Sequence, residues 1–235
     1  MSENHIKRNA FKAAFPYTIP ILAGFLFLGT AYGVYMNASG FPAIYPMLMS
    51  LTIFAGSMEF VAVNLLLGAF DPLGAFLLAV MVNARHLFYG ISMLDIYKNV
   101  GRKKWYLIFG MCDESFSINV TADVPKGIDK GWFMFFVTFL NQCYWFTGAA
   151  LGGIFGGFLT FNTKGIDFVM TALLVVLFLN QWMKEKQHYS SLIGVGCTVC
   201  CLILFGSSNF LIPAMLLILG ILTLFRNPIE KAGDA

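Results

Sequence analysis

Apolar residues in this chain run in long blocks with few polar interruptions, and the blocks are separated by glycine, proline or charge. Hydropathy and breakers divide it into segments at about 17–36, 45–69, 72–94, 105–122, 132–158, 166–183, 190–206 and 209–225. A helix needs roughly 20 apolar residues to cross a bilayer. The pattern therefore predicts an all-α polytopic integral membrane protein with seven or eight transmembrane segments. Asp71-Pro72 reads as a helix start, aspartate as cap and proline in the first turn. Tyr17, Trp105, Tyr106, Trp132 and Trp182 fall near segment ends, as an interfacial aromatic belt requires. Trp145 falls mid-segment and is expected inside the protein.

The count of spans turns on segment 45–69. Its centre, Phe54-Ala55-Gly56-Ser57-Met58-Glu59, carries the Gly-Ser needed for a break. Broken backbone at membrane depth is tolerated where it lines a polar cavity. With eight full spans and a cytoplasmic N-terminus, Lys98, Arg102, Lys103 and Lys104 fall in an external loop, against the positive-inside tendency. If 45–69 dips in and returns, that loop becomes cytoplasmic. Both arrangements stay open at this level. Gly29-x-x-x-Gly33 and Gly148-x-x-x-Gly152 suggest either an internal duplication or ordinary close-packing devices.

Composition agrees with a membrane protein: 58% of residues are hydrophobic and 11% charged, against about 25% charged in a soluble domain. Residues 1–235 read as one permease domain, with 1–16 as an interfacial N-terminal segment. There Ile6–Phe15 would turn Phe11, Ala14 and Phe15 to lipid and Lys7, Arg8 and Lys12 to headgroups. The net charge of +3 is scattered and suggests no nucleic-acid role. The five cysteines all fall in apolar runs, where they read as small fillers rather than ligands. Neither His-Glu-x-x-His nor a Walker A loop occurs. No enzyme activity, metal or cofactor is expected.

Three segments carry charge at lipid depth: Glu59 in the second, Asn83-Ala84-Arg85-His86 in the third, Asp113-Glu114 in the fourth. Such residues are costly in a bilayer and usually line a substrate or ion path. On a continuous helix Asn83, Arg85 and His86 would bracket a cavity rather than share one face. Arg85 offers a planar fork for a carboxylate, from a substrate or from Glu59 or Asp113. His86 could shuttle protons or simply be hydrogen-bonded. Glu59, Asp113 and Glu114 outnumber Arg85, so one of them is expected to exchange a proton, as a coupled carrier requires. Gly56-Ser57 suggests a helix restart with free amides that attract a carboxylate. Asn141 and Trp145 add an amide and an indole. The predicted substrate-binding set is Gly56, Ser57, Glu59, Asn83, Arg85, His86, Asn141 and Trp145. The proton-coupling set is Asp113, Glu114 and Glu59. The rival reading is a channel-like or structural subunit whose charges only pair helices.

These residues resemble the AzlC family of branched-chain amino acid exporters. The matching stretches are Gly29-Thr-Ala-Tyr-Gly33, Phe54-Ala-Gly-Ser-Met-Glu-Phe60, Asn83-Ala-Arg-His86 with Tyr89-Gly90, Asp113-Glu114-Ser-Phe116, Asn141 through Trp145 to Gly148, and Gly165-Ile-Asp-Phe168. Glu59 departs from the glutamine that many relatives carry. The resemblance implies a permease of the bacterial cytoplasmic membrane that exports valine, leucine and isoleucine, with methionine as a further candidate. It also implies a small separate membrane subunit of AzlD type. A zwitterion with an apolar tail fits the polar set, with Phe60, Phe88, Met111 or Trp145 against the tail.

Overall fold

The structure is a computed structural model that describes residues 3–158, 175, 178–179, 182–183 and 188–224. Every element among them is helical. They fall into two compact units, Met1–Met170 and Thr171–Ala235. Of the predicted sixth segment only isolated residues are described, and Gly165–Phe168 lies outside the described residues.

In the first unit, α1 (Glu3–Ala38) is one continuous helix. The separate interfacial helix expected before residue 17 is thus its first turns. Pro16 and Pro20 lie within it. Ala14, expected to face lipid, is instead fully buried. The long α8 (Lys130–Phe155) packs along α1. The two run parallel: Lys7 lies over the Trp132 ring, Thr18 Oγ1 meets the Tyr144 hydroxyl at 3.1 Å, and Asn37 donates to the Gly153 carbonyl.

What lets them approach is the pair of glycine motifs. A Cβ on Gly29 would stand 2.8 Å from the Trp145 carbonyl oxygen, and one on Gly148 would stand 3.0 Å from Gly29 Cα. Gly33 and Gly152 are tighter still, each backed by the other helix's main chain. The motifs therefore act as close-packing devices, as small residues do between membrane helices.

Between α1 and α8 the predicted second, third and fourth segments are each broken near the middle. They give α2 (Ile44–Thr52) and α3 (Gly56–Leu67), α4 (Pro72–Val82) and α5 (Arg85–Met93), and α6 (Lys103–Phe109) and α7 (Asp113–Thr121). The break before Gly56 is where the sequence places it. The breaks at Asn83-Ala84 and Gly110–Cys112 are not, since both segments read as continuous. At the first, the Asn83 amide donates to the Ala79 carbonyl, and His86 and Leu87 bond back only three residues. That competition from a short polar side chain ends a helix. Pro72–Val80 and Arg85–Met93 meet at a bend of 52°.

Glu3–Ala38 and Tyr189–Gly206 are long and apolar enough to cross a membrane, and the bent α4–α5 pair makes a third if it is one span. A core of Ala14, Met93, Leu107, Phe133, Met134 and Val137 ties α1, α5, α6 and α8 together at one end. In the second unit, α9 (Tyr189–Asn209) is interrupted at Gly206, whose φ of 73° only glycine adopts freely, and α10 (Leu211–Leu224) packs on it.

Candidate functional site

The three breaks bring the charged residues to helix starts rather than helix middles. Arg85 is the first residue of α5, Asp113 the first of α7, and Ser57 the second of α3. They meet. Arg85 Nη2 donates to Ser57 Oγ at 3.0 Å and lies 3.3 Å from Asp113 Oδ2. Asp113 and Glu114, expected mid-helix, occupy the first turn of α7, where the helix dipole favours negative charge.

The Arg85–Asp113 pair is only part-covered, at 32% and 27% exposure, so it borders open space. Its valences are also incompletely used. Among the described residues, Arg85 Nε and Asp113 Oδ1 have no hydrogen-bond partner, nor has Asn83 Oδ1 nearby in sequence. A donor and an acceptor of the ion pair, with the acceptor of Asn83 two residues before Arg85, are thus buried without a partner among the described residues.

Glu59 takes no part in that pair. Its side chain is fully buried, and both carboxylate oxygens accept from Trp145 Nε1 at 3.0 Å. Oε1 also accepts from the Ala55 amide at 3.1 Å, across the break. The choice left open for Arg85, between Glu59 and Asp113, therefore falls to Asp113. Trp145 is interior, as expected, at 4% exposure. It stacks on Tyr32 and meets Phe25 edge-on. A Cβ on Gly56 would stand 3.0 Å from the indole, so Gly56 lets α3 begin against the ring.

Two further polar groups line the same stripe of α8. Asn141 is fully buried, one turn before Trp145, and neither of its amide atoms has a partner. No interhelical hydrogen bond reaches it among the described residues. Gln142 donates to the Leu51 carbonyl at 3.2 Å and accepts from Tyr106, satisfying the frayed end of α2. His86 bonds the Asn83 carbonyl through Nδ1 at 3.2 Å and packs edge-on to Tyr89, which stacks on Phe116 at 4.4 Å.

Sequence reasoning missed Tyr32, Phe54, Gly110 and Gln142. Tyr32 sits inside the Gly29–Gly33 motif, and the close approach that motif permits was the available signal. Phe54 is buried with φ of 46°, a left-handed backbone unusual for a bulky residue. The sequence puts Phe54 at the break, but nothing local announces its left-handed backbone.

The AzlC protein family model matches residues 20–159, which contain every residue of this site. The chain belongs to the AzlC family. It is 69% identical over 95% of its length to a branched-chain amino acid transport protein AzlC of Bacillus subtilis, covering 88% of that protein. An uncharacterized membrane protein of Haemophilus influenzae is 51% identical over 94% of this chain and 91% of its own. The inner membrane protein YgaZ of Escherichia coli is 26% identical over 85% of this chain and 82% of its own. No solved structure matches.

Proposed function

We propose that this chain is a bacterial inner-membrane exporter of branched-chain amino acids, coupled to proton entry, and that it works by alternating access with a small membrane subunit of AzlD type. The observation that carries the reading is the half-open Arg85–Asp113 pair with its unused valences. An amino acid presents a carboxylate and an ammonium a few ångströms apart. Arg85, freed on its Nε side and braced by Ser57, takes the carboxylate. Asp113 and Asn83 face the ammonium. Trp145, Tyr32 and Phe60 provide apolar surface nearby.

Coupling follows from competition for Asp113. Bound substrate holds Arg85 through its carboxylate and Asp113 through its ammonium, which keeps Asp113 ionised and excludes a proton. Once substrate leaves on the outside, Asp113 takes a proton in place of the ammonium, and it releases that proton on the cytoplasmic side as it recovers Arg85. Glu114 stands beside Asp113 as a second acceptor. Glu59 is assigned a positioning role, holding Trp145 and the start of α3. The family relationship supports the substrate class, because the Bacillus relative is named for branched-chain amino acid transport.

The test is counterflow of labelled leucine in proteoliposomes, with and without the small subunit. Saturable exchange supports the reading. Linear flux favours a channel, and absence of flux in both preparations favours a structural subunit.

A further inference from the structure

The three broken segments do not run alike. α2 starts beside Gly153, with a Cβ there 2.9 Å from Pro46, and ends where Leu51 meets Gln142. α3 starts against Trp145 and climbs back, Phe60 against Tyr32 and Tyr35, Asn64 to the Tyr35 hydroxyl at 3.2 Å. Both outer ends of this hairpin therefore lie at the C-terminal end of α8. The α6–α7 hairpin is its opposite. Lys103 lies over Trp132, Gly110 meets Thr138, and the Asp123 carbonyl accepts from Tyr17. Both of its outer ends lie at the N-terminal end of α8. Only α4–α5 passes from one end to the other, from the α3 end to Met93 in the core beside Ala14.

The tips meet midway. The Phe54 ring comes within 3.7 Å of where a Cβ on Gly110 would stand, and Arg85 reaches Ser57 and Asp113 on the two sides.

Charge divides between the ends. The N-terminal end carries Lys7, Arg8 and Lys12 from α1, Lys98 and Arg102 before the second hairpin, and Lys103 and Lys104 at its start. Lys126 joins them from the following loop and Lys130 from the start of α8. Glu3 pairs with Lys7, which holds its carboxyl below the usual range. At the other end, residues 38–72 contain no lysine or arginine. Cations gather on the cytoplasmic side of short loops.

The geometry points to two opposed re-entrant gates. α2–α3 enters from outside and α6–α7 from the cytoplasm, and the Phe54–Gly110 contact separates the two approaches to Arg85. The placement of the ends stands by itself, whereas their action as gates rests on the transport reading above. It also removes the conflict over the basic loop 98–104, which lies inside.

The test uses the full chain with its five cysteines replaced, kept only if leucine counterflow survives, in right-side-out and inside-out vesicles with a membrane-impermeant maleimide. Phe70→Cys should react only from outside and Lys98→Cys only from the cytoplasmic side. The reverse pair, or both from one side, overturns the arrangement. Eight complete spans would give that reversal. A short epitope inserted after Phe70 or after Lys98, probed with antibody on the same vesicles, gives the same readout with the native cysteines in place. For the gates, Ile53→Cys should react from outside and Met111→Cys from inside, with leucine shifting the two rates in opposite directions. Shifts in one direction, or none, overturn the gating role. Correct epitope sidedness in the native-cysteine chain without any leucine flux overturns the transport reading and leaves the hairpins standing.

Discussion

The indole nitrogen of Trp145 lies 3.0 Å from each carboxylate oxygen of Glu59, in the interior and apart from the only intramembrane cation among the described residues, Arg85. The contact locks α8 to the start of α3. Removing it should cost structure before function. Glu59→Leu is expected to lower stability in detergent by about 1–3 kcal/mol, since the Trp145 and Ala55 donors lose their acceptor. Glu59→Gln keeps one acceptor and should retain most counterflow. A Gln variant that is stable but inert to a pH gradient would move the coupling role to Glu59.

Arg85 holds two partners at once, Ser57 and Asp113. Lysine keeps the charge and loses the fork. Arg85→Lys should therefore reduce leucine counterflow by about tenfold or more while expression and detergent stability hold. Normal transport by an unstable variant would make Arg85 a structural tie.

Asp113 alternates partners in the proposed cycle. Asp113→Asn should abolish uptake driven by a pH gradient into inverted vesicles while leaving some leucine counterflow, because exchange need not move a proton. Equal loss of both would assign Asp113 to substrate binding, and unchanged driven uptake would remove it from coupling.

Asn141 is buried without a partner among the described residues. Its replacement by leucine takes away no hydrogen bond to a described residue, so thermal stability should hold or rise. Counterflow should fall, through a higher half-saturating leucine concentration, if the amide serves substrate. A stable variant with unchanged kinetics would exclude Asn141 from the site.

Gly152 has main chain of α1 where a side chain would go, whereas Gly24 has nothing within 4 Å among the described residues. Gly152→Leu should leave little folded protein by size-exclusion in detergent, because overpacking costs about 1–3 kcal/mol or more. Gly24→Ala should be neutral or stabilising, as alanine is the better helix former.

Much of this protein is legible in its residues one at a time. Runs of apolar side chains declare membrane helices because lipid leaves backbone groups no partner outside a helix. Charge placed within such runs declares a site because burying it is expensive, and Gly56-Ser57 marks a break because its small side chains cannot hold a helix against neighbours. Interior placement of Trp145 follows from its distance from either segment end. Partner choice is a different kind of fact. That Arg85 joins Asp113 while Glu59 joins Trp145 depends on where three helix starts fall in space, and no local spacing encodes it. The same holds for the breaks at Asn83 and Gly110. Each depends on a short-range competition whose outcome is set by neighbours, the Thr138 side chain against Gly110 among them. Sequence could suggest the Gly29–Gly33 and Gly148–Gly152 motifs but not that they face each other. Only packing decides that, because a glycine permits close approach without specifying the helix that makes it.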